Sequence, residues 1–126
     1  MKPIKYILFG LILLSPAFSF SNTFKVPVDF NTIQDAINAA QNGDTILVAD
    51  GIYEGEINFN GLVADSVIIK SEAGHDNRII DCQNEMLSSS FIFNSQDCKS
   101  TVEGFTIRNA YSGVNIYAGA SPMIII

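Results

Sequence analysis

The sequence predicts an all-β fold, a parallel β-helix with turns of roughly 22–24 residues, closed at its N-terminal end by one amphipathic helix. Three observations predict it. Short apolar runs recur along the chain, separated by Gly, Asn, Asp and Ser in the manner of strands and turns. The runs keep a near-constant spacing: Ile46, Ile68, Ile92 and Ile116 follow one another at steps of 22, 24 and 24. A second series, Asn58, Ile80, Val102 and Ile124, advances by 22 at every step. Finally, a single helical stripe precedes the first run, where an open solenoid end needs a cover. The size agrees with one domain: 126 residues, 48% hydrophobic and 16% charged, suffice for a core.

The chain opens on a basic start, Met1 to Lys5, followed by an apolar run from Tyr6 to Leu14 that Ser15 and Pro16 interrupt. Small residues follow at cleavage spacing, so residues 1–21 read as an export signal, cut near Ser19 or Ser21. No cysteine stands there to carry a lipid, and the run is short for a bilayer span, which takes roughly 20 apolar residues. The expected location is secreted, periplasmic or cell-surface, with no membrane span after cleavage. Seven basic and thirteen acidic residues give a formal charge of −6. Without Lys2 and Lys5 the remainder holds 5 basic and 13 acidic residues, a charge of −8. Such a surface repels phosphate backbones, which excludes nucleic acid as a partner.

Residues 22–43 form an extended segment and the capping helix. Asn31 or Thr32 caps it, with Asp35 three positions beyond Thr32, and Ile33, Ala36, Ile37 and Ala40 fall on one face. Gly43 supplies the stop. From residue 44 to 126 the pattern is β-type: 45–48, 56–59, 66–69, 78–80, 91–93, 101–102, 105–107, 114–116 and 123–126. Stacked turns put each run beside its equivalent one repeat later, in parallel, and bury inward side chains as columns. The helix stripe then rests on the first turn, near Ile46 and Val48. The last run ends part-way through a fourth turn without a terminal cap, so the expectation is a solenoid incomplete at its C-terminus, a piece of a longer protein.

Residues 26–40 (VPVDFNTIQDAINAA) and 43–53 (GDTILVADGIY) resemble the opening of secreted right-handed parallel β-helix proteins of the pectin-lyase-like superfamily, chondroitinase-B-like proteins among them. Residues 104–109 (GFTIRN), 113–117 (GVNIY) and 121–124 (SPMI) are similar to that group's later repeats. The resemblance spans residues 24–126 and implies a right-handed helix. It implies little about function, because the fold carries lyases, hydrolases, adhesins and inert scaffolds.

Lyases of this fold use stacked basic residues, and here none stack: Lys70 advanced by 22 or 24 meets Ile92 or Asn94, and Arg108 set back by 22 meets Met86. Two acidic pairs do stand 22 apart, Asp50 with Glu72 and Asp81 with Glu103. Carboxylates on neighbouring turns about 4.8 Å apart invite Ca2+, and Asp81 with Glu103 is the candidate metal pair. Arg108 and Tyr117 are the candidate contacts for a polysaccharide or cell-surface glycan, with Arg78, Tyr53 and Tyr111 behind them. His75 and Asp76 share a turn, and Asn94 and Asn109 suit solenoid corners. Cys82 and Cys98, at a separation of 16, fit either one disulfide or two buried thiols. The expectation is a structural, adhesive or carbohydrate-binding module without a complete active site. The alternative is the N-terminal part of a polysaccharide lyase or glycoside hydrolase acting on an acidic polysaccharide.

Overall fold

The computed structural model describes residues 20–60, 64, 66–74, 77–83, 89–94, 99–117 and 119–125. The chain forms a parallel β-solenoid of about four turns with one short helix, as the repeat of apolar runs predicts. Its elements are β1 (Thr23–Val26), α1 (Ile33–Ala39), β2 (Thr45–Val48), β3 (Gly51–Glu54), β4 (Ile57–Asn58), β5 (Ile68–Ser71) and β6 (Arg78–Asp81). They continue with β7 (Ser89–Asn94), β8 (Thr101–Glu103), β9 (Thr106–Arg108), β10 (Ser112–Tyr117) and β11 (Met123–Ile125). Three parallel sheets wrap the core. The first has the order β1-β2-β5-β8-β11, the second β3-β6-β9 and the third β4-β7-β10.

The turns are less even than the sequence spacing predicts. Ile46 lies opposite Ile69 and Val102 opposite Ile124, steps of 23 and 22, but Ile69 lies opposite Val102, a step of 33. On the second sheet Ile52, Ile79 and Thr106 advance by 27 each, and on the third Ile57 to Phe91 is a step of 34. The series from Ile46 through Ile68, Ile92 and Ile116 therefore crosses from the first sheet to the third. A slip of one position also reverses a strand's faces. Ile68 pairs with Thr45 and is 37% exposed, whereas Ile69 is fully buried.

Inward columns make the core: Ile46, Ile69 and Val102 from the first sheet, Ile80 from the second, Phe59, Phe91 and Phe93 from the third. Phe59 and Phe93 pair in register as neighbours of Asn58 and Ile92 and stack with ring centroids 4.4 Å apart. At the last turn the columns end on Ile107, Ile116 and Ile124, of which Ile116 is 51% exposed.

Helix α1 lies at the N-terminal end. Thr32 caps it, its hydroxyl accepting the Asp35 N–H at 3.0 Å, and Ile33, Ala36 and Ile37 are buried against the first turn. The helix stops earlier than the Gly43 signal: Ala40 is already extended. The reason is Asp44, buried at the helix exit, whose carboxylate accepts the Gln41 N–H at 2.8 Å and the Asn22 N–H at 2.7 Å. This single side chain ties the start of the solenoid to both the helix exit and the segment before β1.

Candidate functional site

The second sheet carries the densest polar cluster on an outer face. Tyr53, Ile80 and Ile107 form its inward row. By strand alternation, Ile52, Ile79 and Thr106 form one outward row and Glu54, Asp81 and Arg108 the other. An apolar strip thus runs beside a charged one.

At the centre, the Asp81 carboxylate accepts three hydrogen bonds and makes one further ion-pair contact. Oδ1 receives the Gln83 N–H at 2.9 Å and the Asn109 Nδ2 amide at 2.9 Å. Oδ2 receives Nε of Arg108 at 2.8 Å, with Nη2 of the same guanidinium also at 2.8 Å. The donors hold Asp81 below the ordinary carboxylate range, chiefly the Gln83 N–H and then the Asn109 amide; burial opposes them, and Arg108 adds to them. The corner backbone makes this possible. Gln83 and Asn109 take positive φ, 56° and 55°, just beyond β6 and β9, and so turn their donors back to the carboxylate.

This geometry corrects the metal pairing of Asp81 with Glu103. Glu103 belongs to the first sheet, opposite Lys70 and Ile125, and Asp81 faces Arg108. Of the roughly four lone-pair sites of a carboxylate, three on Asp81 are already committed, and Glu103 is on another sheet, so the two carboxylates do not form a joint Ca2+ site. The other acidic pair is divided too: Asp50 pairs with Arg78, and Glu72 with Lys25 at 3.4 Å. Among the described residues no three of His, Cys, Asp or Glu converge as a metal site.

Arg108 and Tyr117, the candidate glycan contacts, stand on different sheets. Arg108 is on β9, its side chain 44% exposed. Tyr117 is on β10 opposite Asn94 and 52% exposed. Tyr53 points inward: its hydroxyl donates to the Ala49 carbonyl at 2.9 Å, and burial above all pushes its pKa up. Arg78 is likewise no surface charge. It is buried, donating from Nε to the Val48 carbonyl at 3.3 Å, from Nη1 to the Gly74 carbonyl, and pairing with Asp50. It clamps the corner between the first two sheets.

Cys82 is buried with its sulfur 4.0 Å from the Gly55 carbonyl oxygen, while Cys98 lies outside the described residues, as do His75 and Asp76. The residue that sequence reasoning misses is Asp81 as a hub. Its partners Gln83 and Asn109 are separated by a step of 26, outside the 22–24 spacing, so only the true register brings them together. No helix among the described residues is long and apolar enough to cross a membrane. Comparisons with protein families, curated proteins and solved structures found no match to this chain.

Proposed function

We propose that this chain is an exported β-solenoid module of the pectin-lyase-like kind that binds carbohydrate on the outer face of its second sheet. It does no chemistry there. The observation that carries the reading is the Asp81 carboxylate tied to Gln83, Asn109 and Arg108. Held ionised by three hydrogen bonds and the Arg108 charge, it is a poor general acid, and with most of its lone pairs committed it is a poor base. What it does instead is fix the Arg108 guanidinium against the sheet.

Fixed donors beside apolar surface suit a sugar, which presents hydroxyl groups at its edge and C–H groups on its face. Nη1 of Arg108 and Oδ1 of Asn109 make no hydrogen bond among the described residues and are available to hydroxyl groups. Ile79, partly exposed on the adjacent strand and diagonal to Arg108, supplies the apolar neighbour. Arg108 is the one cation in a row with Glu54 and Asp81, so the local charge favours a neutral glycan over a polyanion. The lyase alternative wants basic residues stacked on adjacent strands. In the described registers Lys70 faces Leu47 and Glu103, and Arg108 faces Asp81. Export rests on the basic start and apolar run of residues 1–21.

The experiment is a glycan array probed with the full chain and with Arg108→Ala. Binding to neutral oligosaccharides that the substitution weakens about tenfold or more, the loss of a charge-assisted bond, supports the reading. Equal binding by both proteins, or release of unsaturated or hydrolysed product, overturns it.

A further inference from the structure

A parallel solenoid has free strand edges at its N-terminal end, and this chain treats its three edges differently. In a parallel strand, alternate residues direct their backbone groups to alternate sides. On β1, Thr23 and Lys25 face outward, and Lys25 is closed: its N–H donates to Asp29 Oδ2 at 2.7 Å, and its carbonyl accepts from the Asp29 N–H at 2.7 Å and the Phe30 N–H at 3.3 Å. The outward-facing residue of β4 is Asn58, and Gln34 closes it, accepting from its N–H at 2.8 Å and donating to its carbonyl at 3.0 Å.

The third edge is open. Gly51 and Gly55 donate to Asn77 and Asp81 on the next turn, so Gly51, Tyr53 and Gly55 face β6 while Ile52 and Glu54 face away. Neither Ile52 nor Glu54 has a backbone partner on that side among the described residues. That edge borders a groove of about 330 Å³ between β3 and the first turn of α1. Buried Ile33, Ile57 and Ile80 line it, with exposed Ile52, Glu54 and Glu56, and no basic residue.

We propose that the β3 edge is a docking site for an extended basic peptide segment of another protein, which adds to the second sheet as a further strand. Main-chain bonds to Ile52 and Glu54 supply the ladder, as in other strand-addition complexes. Glu54 and Glu56 select Lys or Arg on the incoming strand. The same carboxylates oppose pairing with a second copy of this chain, which would bring its own Glu54 and Glu56 to an edge already acidic. An edge with no described residue closed, beside edges closed at Lys25 and Asn58, with an apolar groove and a single sign of charge, specifies that occupant.

The test uses the full chain and a fluorescent heptapeptide of alternating Lys and Val, read by anisotropy and by amide hydrogen exchange. A peptide N-methylated at alternate residues, which cannot donate to the edge, and a Glu-Val counterpart are the controls. The Lys-Val peptide is expected to bind and to protect the Ile52 and Glu54 amides. Affinity falls at least about tenfold on N-methylation, for the Glu-Val peptide, and for the protein variant Glu54→Lys/Glu56→Lys. Ile52→Pro, tolerated where the N–H faces outward, removes one ladder donor and weakens binding as well. Equal binding of the methylated and unmethylated peptides overturns the proposal, as does no binding up to about 1 mM. So does edge protection that grows with protein concentration alone, which assigns the edge to a second copy.

Discussion

The side-chain amide of Gln34 bonds both backbone groups of Asn58, accepting its N–H at 2.8 Å and donating to its carbonyl at 3.0 Å. One helix side chain thereby stands in for a strand. The pairing links the capping helix to β4 and closes an edge that would otherwise be exposed to other strands. Gln34→Ala is expected to cost about 1 kcal/mol, the low end for an unpaired amide because water can reach the vacated edge. Urea titration measures it, together with faster exchange of the Asn58 amide. Unchanged exchange at Asn58 contradicts the account.

Gly104 is fixed by two constraints. Its φ is +79°, and a Cβ there would lie 2.6 Å from the Ser71 hydroxyl oxygen. That hydroxyl is itself engaged by Gly74, donating to its carbonyl and accepting its N–H, both at 2.9 Å, so it has little room to yield. Gly119 has a similar φ, +77°, with nothing within 4 Å of a Cβ. Gly119→Ala should therefore cost about 1–2 kcal/mol for the left-handed backbone alone. Gly104→Ala should cost about 1–3 kcal/mol more for the collision. Equal losses in a thermal or urea comparison would show that the contact with Ser71 is not tight.

How much of the fold is legible in the sequence depends on loop length and face. The parallel solenoid and its cap follow from the apolar runs and from the stripe of Ile33, Ala36 and Ile37, which the structure buries together. Strand β2 is found at the expected residues, Thr45–Val48. Strand β3 escapes the pattern, because Asp50 and Gly51 read as a turn and only Ile52 and Tyr53 signal a strand. The register is legible only where corners are short. The segments between β5 and β6 and between β6 and β7 lengthen the second turn, and a constant period then carries Ile92 onto the wrong sheet. The Asp81 hub is hidden for the same reason. Side-chain bonds at a corner depend on which residues are brought opposite each other, and no local pattern around Asp81, Arg108 or Asn109 records it.

Asp81 also predicts an acid response. Its folded-state pKa is lowered by the Gln83 N–H, the Asn109 amide and Arg108, so it stabilises the fold fully above the unfolded value of about 4. That contribution is lost as pH falls through the lower folded value. Asp81→Asn lacks it and brings an amide N–H toward donors, so its urea midpoint should lie below that of the unsubstituted protein at neutral pH. The gap should hold from neutral pH to about 4 and narrow below it. A gap independent of pH in that acid range would sink the assignment.

The third sheet offers a packing test. Phe59 and Phe93 are buried and stacked at 4.4 Å, with Phe91 beside them in the same layer. Phe93→Ala should cost about 3–5 kcal/mol, much of the total stability of a small domain. Phe93→Leu keeps most of the volume and should cost distinctly less. A loss for Phe93→Ala no greater than for Phe93→Leu, in calorimetry, would mean that the layer is loosely packed.

The outer face of the second sheet is proposed to bind carbohydrate through a guanidinium held by Asp81. Backbone NMR of the full chain, titrated with the neutral oligosaccharides that bind best on the array, tests this most directly. The expected result is saturable shifts grouped on Glu54, Asp81, Thr106, Arg108 and Asn109, with the Arg108 side-chain Nε–H among them and the sugar unchanged after prolonged incubation. Shifts grouped on the first or third sheet, around Lys70 or Tyr117, or conversion of the sugar would contradict it.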